Sequence, residues 1–115
     1  MAGSVSMTDN YRTSTHPLIA QDRASTPPAE WEYWLTQMEP LDAIHYIGHA
    51  APSALLFQFA HQDEFIPEEE ARHYEQVASE PKQTMWYNCD HQFNEAARHD
   101  RINWLRGQLG LQKEA

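Results

Sequence analysis

The sequence predicts an α/β fold, in which parallel strands alternate with helices. From residue 54 onward, two short apolar segments alternate with two segments of helical periodicity, in the order strand, helix, strand, helix. The segment 54–59 is apolar at nearly every position, as expected for a strand that is covered on both faces of a parallel sheet. The length of 115 residues corresponds to about one domain.

Residues 1–53 are predicted to form a unit separate from residues 54–115. Residues 1–7 are interpreted as a short strand or strand end, because Met1, Val5 and Met7 are apolar. Residues 8–28 are polar and rich in turn formers, so we expect a loop that is either functional or loosely ordered.

A helix is predicted to follow this loop. Thr26 is its expected N-cap and Pro27 its first residue. Its apolar positions recur at i, i+3, i+4 and i+7, namely Trp31, Trp34, Leu35 and Met38. That face either packs on the body of the protein or lines a pocket. Pro40 ends the helix, and residues 41–49 are predicted to make a short helical turn with Leu41, Ile44 and Ile47 facing inward.

Residues 54–115 are predicted to contain the strand-helix-strand-helix unit. Pro67 opens its first helix, whose inner face consists of Ala71, Tyr74, Val77 and Ala78. The second strand covers residues 83–87, and Asn94 is the expected cap of the last helix. That helix is predicted to end at Gly110 and to bury Ala97, Ile102, Leu105 and Leu109.

Charge and hydropathy exclude several classes of partner. The chain has 17 acidic and 8 basic residues, a formal net charge of −9, and it lacks the basic stripe that phosphate binding requires. We therefore expect neither nucleic acid nor an anionic membrane as a partner. The longest apolar run, residues 53–57, is far shorter than a membrane span of about 20 residues. The N-terminus has no signal-peptide pattern, and the single cysteine, Cys89, suits a reducing cytoplasm.

Two ionisable side chains follow the two predicted strands. Asp63 lies four residues after Phe59, and His91 lies four residues after Tyr87. Adjacent parallel strands bring such loops together, so a hydrogen bond between Asp63 and His91 is expected. A buried carboxylate that orients a histidine is the supporting half of a nucleophile–His–acid triad. The alternative is that both are ordinary loop residues.

The same segments resemble those of a known family. Residues 55–67 resemble the segment that carries the catalytic acid in α/β-hydrolases, and residues 86–93 are similar to the catalytic-histidine loop of that fold. Residues 94–105 resemble the closing helix of its dienelactone-hydrolase-like esterase branch. The resemblance implies that Asp63 is the triad acid and His91 the general base. It also implies a cap-like segment before residue 40, action on small carboxylic esters (or short peptide bonds), and no cofactor.

The family's nucleophile has no counterpart in the chain. No G-x-S-x-G segment precedes Asp63, and Gly3-Ser4-Val5-Ser6 is the nearest imitation. Cys89 is too close to His91 in sequence to replace the serine, and Asp90 stands where the family often has glycine. We therefore expect the C-terminal portion of a serine hydrolase, inactive alone, that would take its ester substrate only in the complete fold. The alternative is a non-catalytic remnant that self-associates through a sheet edge near residues 1–7.

Seven histidines raise the question of a metal site. His45 and His49 are spaced i, i+4, which would place both on one helix face. No further ligand spacing accompanies them, whereas zinc sites use three or four protein ligands. We expect solvated or capping histidines and no metal.

Overall fold

A computed structural model describes residues 4–111 of the chain, which form helices and a small parallel sheet. The helices are α1 (Met7–Thr13), α2 (Pro17–Ser25), α3 (Pro28–Met38), α4 (Glu68–Val77) and α5 (Glu95–Gln108), and the strands are β1 (Leu55–Ala60) and β2 (Lys82–Tyr87). Three short 3₁₀ turns, Glu39–Leu41, Ala43–His45 and Ile47–His49, connect α3 to β1. Mixed helices with parallel strands are compatible with part of an α/β fold.

The two strands pair in parallel, and this pairing positions the loops that follow them. Leu55 lies opposite Lys82, and Ala60 lies opposite Tyr87. The pairing continues beyond the strands, because the His61 N–H donates to the Tyr87 carbonyl at 2.8 Å and the Gln62 N–H donates to the Cys89 carbonyl at 3.0 Å. The loops after β1 and β2 therefore leave the sheet side by side.

The two faces of β1 meet different helices. Phe57 and Phe59 are buried in the apolar cluster that includes Tyr74 of α4, and the rings of Phe57 and Tyr74 are 5.1 Å apart. Gln58 is the buried exception to the apolar strand. Its Nε2 donates to the Ala97 carbonyl of α5 at 2.7 Å and to the Tyr87 hydroxyl at 3.0 Å. These bonds compensate for the desolvation of the amide and attach α5 to the sheet.

The predicted ends of α5 are confirmed, whereas the prediction of its buried residues is largely wrong. The Asn94 side chain accepts a hydrogen bond from the Ala97 N–H at 3.0 Å, and Gly110 leaves the helix with a φ of 72°. Ala97 is buried, but Leu105 and Leu109 are 46% and 71% exposed. The helix is attached to the sheet near its N-terminus by the Gln58–Ala97 hydrogen bond, whereas Leu105 and Leu109 near its C-terminus are exposed.

The N-terminal segment differs most from the prediction. Residues 1–3 of the predicted strand lie outside the described residues, residues 4–6 are irregular, and α1 begins at Met7. The expected loop at 8–28 is mostly the helices α1 and α2. Side-chain caps stabilise the starts of both helices, since the Ser6 hydroxyl accepts from the Asp9 N–H and His16 Nδ1 accepts from the Leu18 N–H.

The next helix starts one residue later than predicted, at Pro28. Thr26 does not cap it, because its hydroxyl donates to the Asp22 carbonyl at the end of α2. Leu35 is fully buried on the predicted face, whereas Trp34 and Met38 are 43% and 38% exposed.

Only part of the inward face predicted for residues 41–49 is buried. Ile47 joins the core, but Leu41 and Ile44 are 69% and 42% exposed. The backbone breaks into separate 3₁₀ turns here, so these side chains do not share one helical face.

Candidate active site

The structure brings Asp63 and His91 together at the carboxyl edge of the sheet. Asp63 lies three residues beyond the end of β1, and His91 lies four residues beyond the end of β2. His91 Nδ1 is 2.8 Å from Oδ2 of Asp63. Since an ionised carboxylate only accepts hydrogen bonds, Nδ1 is the donor of this bond. The predicted contact between the two side chains is therefore present, whereas their catalytic roles stay a prediction.

Asp63 is a buried carboxylate whose remaining oxygen is also satisfied. Its side chain is only 3% exposed. Oδ1 accepts hydrogen bonds from the Phe65 N–H at 2.8 Å and from the Ile66 N–H at 3.0 Å. These two donors fix the plane of the carboxylate, so that Oδ2 is held toward His91. An orienting acid is arranged in this way in a catalytic triad.

His91 is held on one side and open on the other. Its side chain is 37% exposed, and Nε2 makes no hydrogen bond within residues 4–111. The ring also packs against Phe65, with the ring centroids 5.0 Å apart. With the Nδ1 proton directed to Asp63, the neutral imidazole presents the lone pair of Nε2 outward. That nitrogen is available to accept a proton from a nucleophile.

A residue that the sequence analysis missed holds the acid loop in place. Asn10 of α1 is 2% exposed, and its Nδ2 donates to the Phe65 carbonyl at 3.1 Å and to Glu70 Oε2 at 3.0 Å. His16 stacks on the Phe65 ring at 3.9 Å. Asn10 therefore acts through Phe65 as a positioning residue for Asp63. Asn10 is 55 residues from Phe65 in sequence and lies in a segment predicted to be a loop, so no local signal identified it.

The described residues bring no nucleophile to His91. The Ser4 hydroxyl is buried and donates to the Ser6 carbonyl at 3.0 Å. Ser53 precedes β1, at the opposite end of the strand from the loop that carries Asp63. No serine or cysteine side chain within residues 4–111 forms a hydrogen bond with Nε2 of His91.

Cys89 is close to the site but is not activated. Burial raises the pKa of its thiol, and the negative charges of Asp90 and Asp63 raise it further. A cysteine nucleophile needs the opposite environment, one that stabilises the thiolate. The environment of Cys89 agrees with the prediction of a structural thiol.

Cys89 is consequently expected to react with iodoacetamide more slowly than a cysteine in an unstructured peptide at neutral pH. Asp90→Asn removes one of the charges that disfavour the thiolate, so alkylation should be faster in that variant. Mass spectrometry of timed samples measures both rates. Asp100→Asn is the matched control, since Asp100 is not among the charges that act on Cys89. Faster alkylation of Cys89 than of the peptide would contradict this assignment.

His45 and His49, the two histidines considered as metal ligands, do not share one helix face. His45 and His49 lie in separate 3₁₀ turns, and His45 Nε2 is paired with Glu39 at 2.7 Å. The expected arrangement on one helix face is therefore wrong. Within residues 4–111, no group of three or more His, Cys, Asp or Glu side chains is arranged to hold a metal ion. In the same part of the chain, no helix has the length and apolar character needed to cross a membrane.

Comparisons of the chain with protein-family models, with curated proteins and with solved structures found no match. The geometry of the site and the chemistry of its residues therefore carry the functional argument.

Proposed function

We propose that this chain carries the acid and the general base of a serine hydrolase of the α/β-hydrolase type that acts on small carboxylic esters. The observation that supports this proposal is the Asp63–His91 pair. The carboxylate of Asp63 is buried and both of its oxygens accept hydrogen bonds, one of them from Nδ1 of His91. Nε2 of the same histidine has no hydrogen-bond partner within residues 4–111. A cytoplasmic location of the protein remains a prediction, which rests on the single cysteine of the sequence.

In the proposed mechanism, His91 transfers one proton in each of two half-reactions. Nε2 accepts the proton of a serine hydroxyl while the serine oxygen attacks the ester carbonyl carbon, and Asp63 stabilises the imidazolium that forms. When the tetrahedral intermediate collapses, the ester C–O bond breaks and His91 gives its proton to the leaving alkoxide. Water then attacks the acyl-enzyme while His91 Nε2 takes its proton, the bond between the acyl carbon and the serine oxygen breaks, and His91 returns the proton to the serine oxygen. The products are a carboxylic acid and an alcohol.

The proposal places the serine and the oxyanion-hole donors outside these 115 residues. The sequence has no G-x-S-x-G elbow, which positions the serine in this class of enzyme. The sheet formed by residues 4–111 has two strands, whereas parallel sheets are generally larger and covered on both faces. Additional strands beside β1 or β2 would supply both the missing sheet and the nucleophile.

The coding DNA upstream of Met1 provides the test. An in-frame G-x-S-x-G segment about 20–30 residues before Met1 is expected from typical lengths of βα connections. The longer product should hydrolyse p-nitrophenyl butyrate, and His91→Ala should lower its kcat by about 10⁴-fold or more. His45→Ala is the matched control, because it breaks an exposed histidine–carboxylate pair away from the site. A stop codon in place of that segment, or activity that is unaffected by His91→Ala, would refute the proposal.

The 115-residue chain alone is expected to show negligible turnover of p-nitrophenyl acetate. An oriented histidine without a nucleophilic serine and an oxyanion hole lacks the groups that contribute most to acyl transfer. The rate should equal that of a mixture of free imidazole and denatured chain at the same histidine concentration. Turnover that His91→Ala abolishes would demonstrate a nucleophile within the chain.

The small sheet also favours a second candidate, a non-catalytic module that self-associates. Strand pairing between two copies would enlarge the sheet, and two parallel strands alone give limited stability. We expect a dimer or larger species by light scattering at high protein concentration. A clean monomer under those conditions counts strongly against this candidate.

A further inference from the structure

A cleft between α1, α2 and α3 is lined by residues that have no role in the proposed hydrolase mechanism. Its volume is about 530 Å³, within the range of small-molecule sites. The lining residues are Tyr11, Ile19, Asp22, Thr26, Glu30, Trp31 and Trp34. Neither Asp63 nor His91 is among them, so an inference from this cleft stands independently of the proposed function.

Three aromatic rings form the wall of the cleft. Trp31 and Trp34 are one turn apart on α3, with ring centroids 5.8 Å apart. Tyr11 of α1 lies 5.7 Å from Trp34 and 6.3 Å from Trp31, and the ring planes are tilted by 35° and 58°. Trp34 is 43% exposed, so part of this wall is open to solvent. Aromatic faces carry partial negative charge and attract cations.

Two acidic residues, Asp22 and Glu30, line the same cleft, and both are exposed. Neither forms an ion pair with another side chain within residues 4–111.

The nearby arginines make other contacts than an ion pair with Asp22 or Glu30 within residues 4–111. Arg12 pairs with Asp9 at 3.3 Å and with Glu32 at 3.2 Å. Arg23 donates to the backbone carbonyls of Tyr11 and Ser14, at 2.7 and 2.9 Å. The cleft therefore combines electron-rich rings with two acidic residues that form no ion pair within residues 4–111.

We propose that this cleft binds a small, soluble quaternary ammonium compound. Such a cation has no N–H groups, so none of its hydrogen-bond donors is left without an acceptor when it contacts aromatic rings. Its methyl groups contact the faces of Trp31, Trp34 and Tyr11, and its charge is attracted by Asp22 and Glu30. A primary ammonium, by contrast, gives up strong hydration when it enters an aromatic wall. The overall charge of −9 also favours a cationic ligand.

The test compares choline with 3,3-dimethylbutan-1-ol, a neutral compound of the same shape, on the purified chain. Binding is followed by tryptophan fluorescence and by calorimetry. We expect choline to bind at least about tenfold more tightly than the neutral compound, because only the cation gains cation–π and carboxylate attraction. Equal affinity for the two compounds, or no binding of choline at tens of millimolar, would overturn the proposal.

Three variants locate the site. Trp34→Leu keeps an apolar side chain but removes a ring, and it should weaken choline binding about tenfold. Asp22→Asn combined with Glu30→Gln should weaken choline binding and leave the affinity for the neutral compound unchanged. Tyr33→Leu is the matched control, since Tyr33 lies on the same helix, is 68% exposed and does not line the cleft. Circular dichroism verifies that each variant is folded. Unchanged choline affinity in folded Trp34→Leu would overturn the proposal.

Discussion

Asparagine in place of Asp63 is expected to reverse the tautomer of His91. In the native site, Oδ2 of Asp63 accepts the Nδ1 proton, so the neutral ring carries its proton on Nδ1. In the variant, the amide oxygen has to face the N–H groups of Phe65 and Ile66, because the amide NH₂ cannot accept hydrogen bonds from them. The amide NH₂ then points at His91 Nδ1. That nitrogen must lose its proton to accept the bond, and the proton moves to Nε2.

The catalytic consequence follows from which nitrogen carries the proton. With Nε2 protonated, His91 cannot accept the proton of a serine hydroxyl. In the longer product described above, Asp63→Asn should therefore lower kcat by about 10⁴-fold, the loss known for this substitution in a serine-protease triad. The fold should change little, because the amide retains the shape of the carboxylate and one acceptor for the two backbone N–H groups.

The tautomer is measurable on the 115-residue chain without any activity. Long-range ¹⁵N–¹H correlation spectra, recorded where histidines are neutral, assign the protonated nitrogen of each ring. We expect Nδ1–H for His91 in the native chain and Nε2–H in Asp63→Asn. Glu39→Gln is the matched control, because it alters the exposed His45–Glu39 pair and should leave His91 unchanged. A native His91 in the Nε2–H form would contradict the assigned hydrogen bond.

The contact between Asp63 and His91 was predictable because parallel pairing converts sequence order into proximity. Both strands are short apolar segments, and the helix between them opens at a proline with three glutamates in its first turn. These local signals require β1 and β2 to end at the same edge of the sheet, whichever other elements surround them. The cap at Asn94 and the turn at Gly110 were equally local.

The N-terminal helices were not predictable from the same kind of signal. The polar composition of residues 8–28 predicts a loop, yet Thr8 and Asn10 are each 2% exposed. Their polar groups are satisfied by partners at Asp42, Phe65 and Glu70, which are 34–60 residues away. Polarity predicts exposure only where no such partner exists. A single sequence does not reveal which distant residue will supply the hydrogen bond.

Those distant bonds make Asp42 a residue whose removal should strongly destabilise the fold. Its side chain is buried at the N-terminus of α1, where Oδ1 accepts from the N–H groups of Met7 and Thr8 at 3.0 and 3.3 Å. Oδ2 accepts from the Ser6 hydroxyl at 2.9 Å and from the Thr8 hydroxyl. The negative charge also interacts favourably with the positive end of the helix dipole. One carboxylate therefore satisfies four donors and connects α1 to the 3₁₀ turns.

Asp42→Ala should lower the free energy of unfolding by about 3 kcal/mol, because it leaves several buried donors without an acceptor. At a denaturant dependence of about 1.5 kcal/mol/M, the urea midpoint would fall by about 2 M. Asp42→Asn should cost less, because one oxygen remains an acceptor and the hydroxyls of Ser6 and Thr8 are free to turn and accept from the amide. Asp9→Ala is the matched control, since the Asp9 side chain is 77% exposed and should change the midpoint little. Equal midpoints for Asp42→Ala and Asp9→Ala would show that the carboxylate does not hold α1. The difference between the two alanine variants therefore measures how much the distant acceptor contributes to forming a helix from a segment that is polar in sequence.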